Sequence, residues 1–377
     1  MAISTCQIVT KVISGDTALE WFKTYHNERI LIICDKFLND NGTIELITRN
    51  IDDSNTLVIF DGTVPDPPLE VIAEGVKAAA KLQPTVLVGF GGGAAIDSAK
   101  GVVYFAHHGN VVKQKPTFIA IPTTSGTGSE MTAFAVFTDN AEHSKIALID
   151  DLMYADIAIL DPHLTVTVPP AITANTGFDV ITHATEAYVA KSAADFTDGV
   201  ACKALELAIQ ALPKCYHFGA NLTARKDMLS ASNMAGIAFN LGGLGMIHSM
   251  AHQLGGMFHI PHGLACAMCL PIGLAYNSQD PDIEAKYADL AYKIGVAPRT
   301  MDTKLAVQTL CTVFKALMTD MDMATRVGEL TKNPISRETY EAAIPQMAEN
   351  AVEDRCLPEN PRTVTKADFI ELFKKAY

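Results

Sequence analysis

Short apolar runs punctuate the first half of the chain. Ile30-Leu-Ile-Ile-Cys34, Thr56-Leu-Val-Ile-Phe60, Thr85-Val-Leu-Val-Gly89 and Thr117-Phe-Ile-Ala-Ile121 have the length of buried strands, as does Ile157-Ala-Ile-Leu160 before Asp161-Pro162. Between them, Leu69, Ile72, Val76 and Ala79-Ala80 recur at helical spacing and predict a helix over 69–82. Strand and helix alternating at this pitch predict a parallel sheet in a doubly wound α/β domain. After about Pro170 the pattern changes to long Ala- and Leu-rich helical segments, such as Val200 to Leu212 and Lys304 to Leu317. The fold class expected is therefore α/β followed by all-α, with domains at 1–170 and 171–377. No Gly/Ser linker or repeat intervenes, and a cleft between two domains is the default place for a ligand.

Composition narrows the classes. Of 377 residues, 49% are apolar, enough for sizeable cores, and 29 basic against 42 acidic residues leave a net charge of −13. Such a surface repels phosphate backbones, so nucleic acid is not an expected partner. Eight cysteines are too few for a disulfide scaffold, and Met1-Ala-Ile-Ser-Thr-Cys-Gln7 has no basic region leading into an apolar run. A reduced, cytoplasmic protein is expected. Cys266-Ala-Met-Cys269 has redox-motif spacing, but within an apolar stretch and with no second pair it reads as packed small residues. From Met228 to Gln279 there is no Asp, Glu, Lys or Arg, yet asparagines, serines and histidines interrupt the stretch too densely for a membrane span. Buried helices around polar groups are expected, and no membrane partner.

Two loops suggest a nucleotide. Gly91-Gly92-Gly93-Ala94 joins a strand to a helix, where glycines let backbone approach a phosphate and the helix N-terminus attracts it. The usual acidic residue about 20 positions on is absent, so the standard dinucleotide fingerprint is met only in outline. Thr123-Thr124-Ser125-Gly126-Thr127-Gly128-Ser129 follows the next strand and offers several donors to phosphate, ribose or nicotinamide. Asp35 closes the strand at Ile30–Cys34, where its carboxylate suits a ribose diol and repels a 2′-phosphate, favouring NAD over NADP.

The helical half carries the sharpest pattern. Asp179 and His183 are four apart, which on a helix sets a carboxylate and an imidazole on one face. His248 and His252 repeat that spacing, and His262 follows ten residues after His252, beyond Ile260-Pro261. One carboxylate and up to three imidazoles suit Fe(II) or Zn(II), and ligand type does not choose between them.

These segments together resemble the iron-containing (group III) alcohol dehydrogenase family. The likeness is carried by Gly-Gly-Gly-Ala-Ala-Ile-Asp-Ser-Ala-Lys100, Pro122-Thr-Thr-Ser-Gly-Thr-Gly-Ser-Glu130 and Gly177-Phe-Asp-Val-Ile-Thr-His-Ala-Thr-Glu-Ala-Tyr188. Gly245-Met-Ile-His-Ser-Met-Ala-His-Gln-Leu-Gly-Gly256, His259-Ile-Pro-His-Gly-Leu-Ala265, Ala348-Glu-Asn-Ala-Val-Glu-Asp354 and Asn360-Pro-Arg362 extend it across nearly the whole chain. The resemblance implies an N-terminal NAD-binding domain and a helical metal-binding domain. It implies Asp179, His183, His248 and His262 as metal ligands, with Fe(II) favoured over Zn(II), and His252 as a catalytic histidine outside the metal shell. For NAD(H) it implies Asp35, Asp66, Gly92, Gly93, Ala94, Thr123, Thr124 and Lys145. Asp66 stands where many members have Asn, and Ala94 replaces the usual serine; neither change removes a backbone N–H.

Within the family, Ile32-Ile-Cys-Asp-Lys-Phe-Leu38, Thr63-Val-Pro-Asp-Pro67, Thr173-Ala-Asn-Thr-Gly177 and Ala194-Asp-Phe-Thr-Asp198 look most like propanol dehydrogenases of bacterial microcompartments. The expected activity is NAD- and metal-dependent interconversion of short aldehydes and primary alcohols, propionaldehyde and 1-propanol foremost. Lactaldehyde, butanol or glycerol dehydrogenase, and a catalytically silent homologue, are the alternatives. The resemblance further implies a homodimer or larger homo-oligomer, and a microcompartment shell or aldehyde dehydrogenase as partner.

Overall fold

The computed structural model describes residues 6–140 and 144–377. Residues 1–5, part of the stretch read as lacking an export signal, lie outside the described residues. The chain divides into two compact units, Gln7–Val168 and Pro169–Tyr377.

The first unit is built on β1 (Lys11–Ser14), β2 (Arg29–Asp35), β3 (Thr56–Thr63), β4 (Val86–Gly91) and β5 (Thr117–Pro122). It continues with β6 (Phe134–Asp139), β7 (Ser144–Ile149) and β8 (Ile157–Leu160). Six of these form a sheet in the order β1-β8-β5-β4-β2-β3, and every pairing in it is parallel. The helices of this unit are α1 (Lys36–Asp40), α2 (Glu45–Thr48), α3 (Leu69–Leu82) and α4 (Gly93–His108). Side chains alternate across the sheet with period two. Ile30, Ile32, Val86, Val88 and Phe90 pack on one face with Phe22, Leu38 and Ile47; Leu31, Ile33 and Leu87 pack on the other with Ile72, Ile96 and Val102. Both faces are covered, and for that reason the strands read as unbroken apolar runs.

Two elements were not legible in the apolar pattern. Edge strand β1 is short and largely exposed, so it carries little apolar signal. The β6–β7 pair is an antiparallel hairpin outside the main sheet, with Ala135 and Phe137 turned inward.

The second unit is helical: α5 (Pro170–Val189), α6 (Asp195–His217), α7 (Leu222–Gly242), α8 (Met246–Phe258) and α9 (His262–Asn277). They are followed by α10 (Pro281–Lys293), α11 (Thr303–Asp320), α12 (Arg337–Val352) and α13 (Lys366–Ala376). Its apolar core runs from Phe178 and Ile181 on α5 through Met250 and Leu254 on α8 to Phe369 and Phe373 on α13. The uncharged stretch Met228–Gln279 is the end of α7, then α8 and α9, much of it buried. No helix among the described residues is long and apolar enough to cross a membrane.

Candidate active site

Helix α5 is buried on nearly all sides from Thr173 onward, so its polar groups need partners inside the protein. The hydroxyls of Thr182 and Thr185 donate to the carbonyls of Phe178 and Ile181 one turn back. Asp179, His183 and Glu186 stand at i, i+4 and i+7, on one face. Asp179 Oδ1 is the focus of the site: the Nε2 atoms of His183, His248 and His262 lie 3.6, 3.6 and 3.3 Å from it.

Two devices bring α8 and α9 to that carboxylate. At the start of α8, Glu186 Oε1 accepts from the Ile247 amide at 2.7 Å, and Asn360 Oδ1 accepts from Met246 at 3.1 Å. Glu186 Oε2 meets His248 Nδ1 at 2.5 Å. A carboxylate can only accept there, so Nδ1 carries the hydrogen and Nε2 faces Asp179. At the far end of α8, His259 adopts a left-handed conformation (φ 55°), and after Ile260-Pro261 the chain starts α9 at His262. Gly263 then lies so close to α5 that a Cβ would sit 1.8 Å from the Asn175 carbonyl oxygen. Only glycine permits this approach, which carries His262 to Asp179.

The imidazoles are packed against one another. His183 stacks on Phe239 and on His248, with ring centroids 4.4 and 4.8 Å apart, and His252 stacks on His262 at 5.4 Å. His183 and His248 are buried, whereas the His262 and His252 side chains are 43% and 37% exposed, giving the cluster a closed side and an open one.

Cys266 is packed in the apolar core as expected, and one turn beyond His262 it also shares that histidine's helix face. Its Sγ is 3.8 Å from Asp179 Oδ1 and 3.7 Å from His262 Nε2. Among the described residues, the ligand atoms of Asp179, His248, His262 and Cys266 all lie within 4.8 Å of one another; His183 adjoins this set through Asp179. Cys269 is buried, and all eight cysteines are free.

Mutual attraction dominates the electrostatics. Burial pushes the Asp179 carboxyl up, but the His183 and His262 charges and the His248 contact outweigh it and hold the group well below its usual range. Burial pushes His262 down, while Cys266 and Asp179 lift it to about 10; His248 is lifted well above its ordinary value by the same two groups and Glu186. The Cys266 thiol, raised by burial, is lowered on balance by His262 and His248.

These residues fit a divalent ion. His248 Nε2 is buried with no hydrogen-bond partner among the described residues, and it faces the cluster of ligand atoms around Asp179. Ligands about 2.1 Å from one tetrahedral ion stand about 3.4 Å apart, close to the spacings around Asp179 Oδ1. A second group adjoins the first: His252 Nδ1 is 2.8 Å from Asp354 Oδ2, and Asp354 Oδ1 accepts from the Cys356 amide at 2.9 Å. Burial raises the Asp354 carboxyl, and the His252 hydrogen bond and charge lower it further than that.

In the α/β unit, β2 pairs with β3 on one side and β4 on the other, so the chain reverses its direction across the sheet between β2 and β4. Ligands of such folds bind at that point, beyond the carboxyl ends of the strands. Asp35 ends β2 and caps α1 by accepting from Leu38 N at 3.0 Å, and Gly91 ends β4 with φ 146°. A Cβ on Gly91 would sit 2.7 Å from Ala95 Cβ. Gly92 caps α4, and Gly93 and Ala94 open it with their amides free of the helix ladder. Thr123 donates its amide to Gly91 O at 3.0 Å, and Thr124 and Thr127 lie against Gly92 and Gly93, so the two loops form one edge. Asp66, left-handed at φ 52°, is ion-paired with Lys145 at the side of this unit that carries the hairpin.

The model of the iron-containing alcohol dehydrogenase matches residues 9–162, and that of the Fe-containing alcohol dehydrogenase family, C-terminal, matches 173–377. The chain belongs to the iron-containing alcohol dehydrogenase family. This alcohol dehydrogenase is 38% identical over 373 residues to the 1-propanol dehydrogenase PduQ of Salmonella typhimurium, covering 99% of this chain and 100% of the relative. It is 39% identical over 366 residues to PduQ of Citrobacter freundii, covering 97% and 98%. A crystal structure of 1,3-propanediol oxidoreductase superposes with a TM-score of 0.91 at 29% identity, covering both chains completely. The enzyme is an NAD-dependent alcohol dehydrogenase, and its family implies a metal.

Three residues of the site went unassigned in the sequence: Glu186, Asp354 and Cys266. Glu186 was signalled by its place seven after Asp179 on the same helix face. Cys266 was signalled by its place four after His262. Asp354 had no local signal, because it reaches His252 across 102 positions of chain.

Proposed function

We propose that this alcohol dehydrogenase interconverts short-chain aldehydes and primary alcohols, with propionaldehyde and 1-propanol as the main pair. The observation that carries the reading is the convergence of three imidazoles on one buried carboxylate oxygen beside the His252–Asp354 pair. The substrate is supported by the two PduQ relatives, whose name is 1-propanol dehydrogenase. Asp179, His183, His248 and His262 hold a divalent metal, Fe(II) ahead of Zn(II). Asp35, Asp66, Gly92, Gly93, Ala94, Thr123, Thr124 and Lys145 hold NAD(H), the first residue favouring it over NADP(H). The domains of this reading are 1–170 for NAD and 171–377 for metal.

When bound, the metal supplies Lewis acidity to a carbonyl or alkoxide oxygen, and the nicotinamide supplies or accepts hydride. His252 moves the proton: Asp354 holds its Nδ1–H, leaving Nε2 to exchange a proton with the substrate oxygen. Glu186 fixes the orientation of His248, and the uncharged helices α8 and α9 limit access of water to the closed side. A cytoplasmic homo-oligomer, housed in a microcompartment with its shell or an aldehyde dehydrogenase as partner, is the setting the family likeness implies.

NADH oxidation with propionaldehyde tests this, run anaerobically on chelator-stripped and Fe(II)-reconstituted protein. Activity that appears with iron is expected. Turnover with glycerol or longer aldehydes but not propionaldehyde would overturn the substrate, and silence on every carbonyl with metal bound would overturn the catalytic reading.

A further inference from the structure

Cys266 is a buried sulfur among metal-binding groups, and nothing in the proposed chemistry uses it. Its Sγ lies 3.8 Å from Asp179 Oδ1 and 3.7 Å from His262 Nε2. A sulfur at about 2.3 Å and an oxygen or nitrogen at about 2.1 Å from one five-coordinate ion would stand about 3.1–3.8 Å apart. Both observed separations fall in that range. A second observation marks the same point: His248 Nε2 is buried, has no hydrogen-bond partner among the described residues, and belongs to the set whose ligand atoms all lie within 4.8 Å of one another. Helix geometry makes the placement persistent, since residues four apart on α9 share a face and Gly263 presses that turn of the helix against α5.

We propose that Cys266 is itself a ligand of the metal centre, through its sulfur. The centre of this chain is then a mixed nitrogen, oxygen and sulfur site. The proposal rests on the reading of Asp179, His183, His248 and His262 as a metal site, and adds a donor to it. Binding breaks the Cys266 S–H bond and forms a metal–sulfur bond, with the proton released to solvent; nothing is oxidised or reduced. A thiolate is a soft donor and adds a second negative charge beside Asp179. Its softness favours Zn(II), Co(II) and Fe(II) over Mn(II) or Mg(II), and the added charge softens the pull of the ion on a substrate oxygen.

Cobalt reports the two parts separately. Chelator-stripped full-length protein is titrated with Co(II) under anaerobic conditions and its absorption recorded. Visible ligand-field bands report occupancy of the imidazole and carboxylate donors; an intense near-ultraviolet thiolate-to-cobalt band reports sulfur. Both are expected in the unmodified protein. Cys266→Ser should lose the near-ultraviolet band, keep the visible bands, and bind Zn(II) at least about tenfold more weakly in chelator competition, a loss no smaller than that of an outer-shell partner. Cys356→Ser, which alters the thiol grouped with His252 and Asp354, should keep both bands. Visible bands without the near-ultraviolet band in the unmodified protein would overturn the sulfur ligand and leave the metal site standing. A near-ultraviolet band that survives Cys266→Ser would overturn the sulfur ligand, in favour of Cys356 if the band vanishes in Cys356→Ser. Absence of both bands would overturn the metal site and the sulfur ligand together. Should Cys266→Ser fail to fold, Cys266→Ala, smaller and without a polar atom, carries the same readout.

Discussion

His262 and His252 stack on each other, yet their surroundings assign them different work. His262 Nε2 lies 3.3 Å from Asp179 Oδ1, whereas His252 turns its Nδ1 to Asp354, outside that cluster. His262→Ala is therefore expected to lose bound metal and turnover together. His252→Ala should retain metal and lose about 10²–10⁴ in kcat, the usual worth of a positioned proton carrier. Metal content by mass spectrometry beside steady-state rates separates the two, and metal loss in His252→Ala would reverse their roles. Glu186 invites a subtler change. Glu186→Gln keeps an oxygen for the Ile247 amide but weakens the grip on His248 Nδ1, so metal affinity should fall about 10–100-fold. An unchanged affinity in chelator competition would mean that α8 packing alone orients the ring.

Helix α9 starts at His262 because His259 ends α8 in a left-handed turn and Pro261 precedes the first helical residue. Its approach to α5 depends on Gly263. Gly263→Ala would force a methyl onto the Asn175 carbonyl, so the helices must part, at a cost of about 1–3 kcal/mol or more. Lower melting temperature and lower metal affinity should appear together in this variant; full metal affinity would show that the site tolerates movement of α9. In the other unit, strand β2 ends on Asp35, whose carboxylate caps α1. Asp35→Ser keeps a capping oxygen and removes the charge, so kcat/KM with NADPH should rise relative to NADH. An unaltered ratio would place the ribose elsewhere.

The metal-binding groups of the whole molecule come from α5, α8 and α9, so a bound ion ties together elements far apart in sequence. Fe(II) or Zn(II) should raise the melting temperature of stripped protein, by about 2.7 kcal/mol of stability at a hundred times the dissociation constant. This gain should grow with pH. His262 holds its proton up to about pH 10 in the folded chain, above its ordinary value of 6.5. Its attraction to Cys266 and Asp179 therefore stabilises the stripped protein fully below about pH 6.5 and is lost as pH rises toward 10. Over the same range the metal has fewer protons to displace. Melting curves with and without metal at pH 6.5 and 9 should diverge; a gap that narrows would contradict the assignment of His262 as a ligand.

The parallel sheet and the helical half were legible in the chain, because apolar periodicity is a local consequence of what each segment buries. The bounds of α3 and β8 match the runs that predicted them. The sequence also marked Asp179, His183, His248, His252 and His262, since four-residue spacing on a helix is local too. Tertiary packing made Asp179 Oδ1 the meeting point, set Glu186 and Asp354 against His248 and His252, and brought Cys266, a core residue, within reach of the centre. Those facts depend on how α5, α8 and α9 cross, and crossing is set by close contacts such as Gly263 on Asn175 between residues 88 positions apart. No pattern within a single segment carries that information.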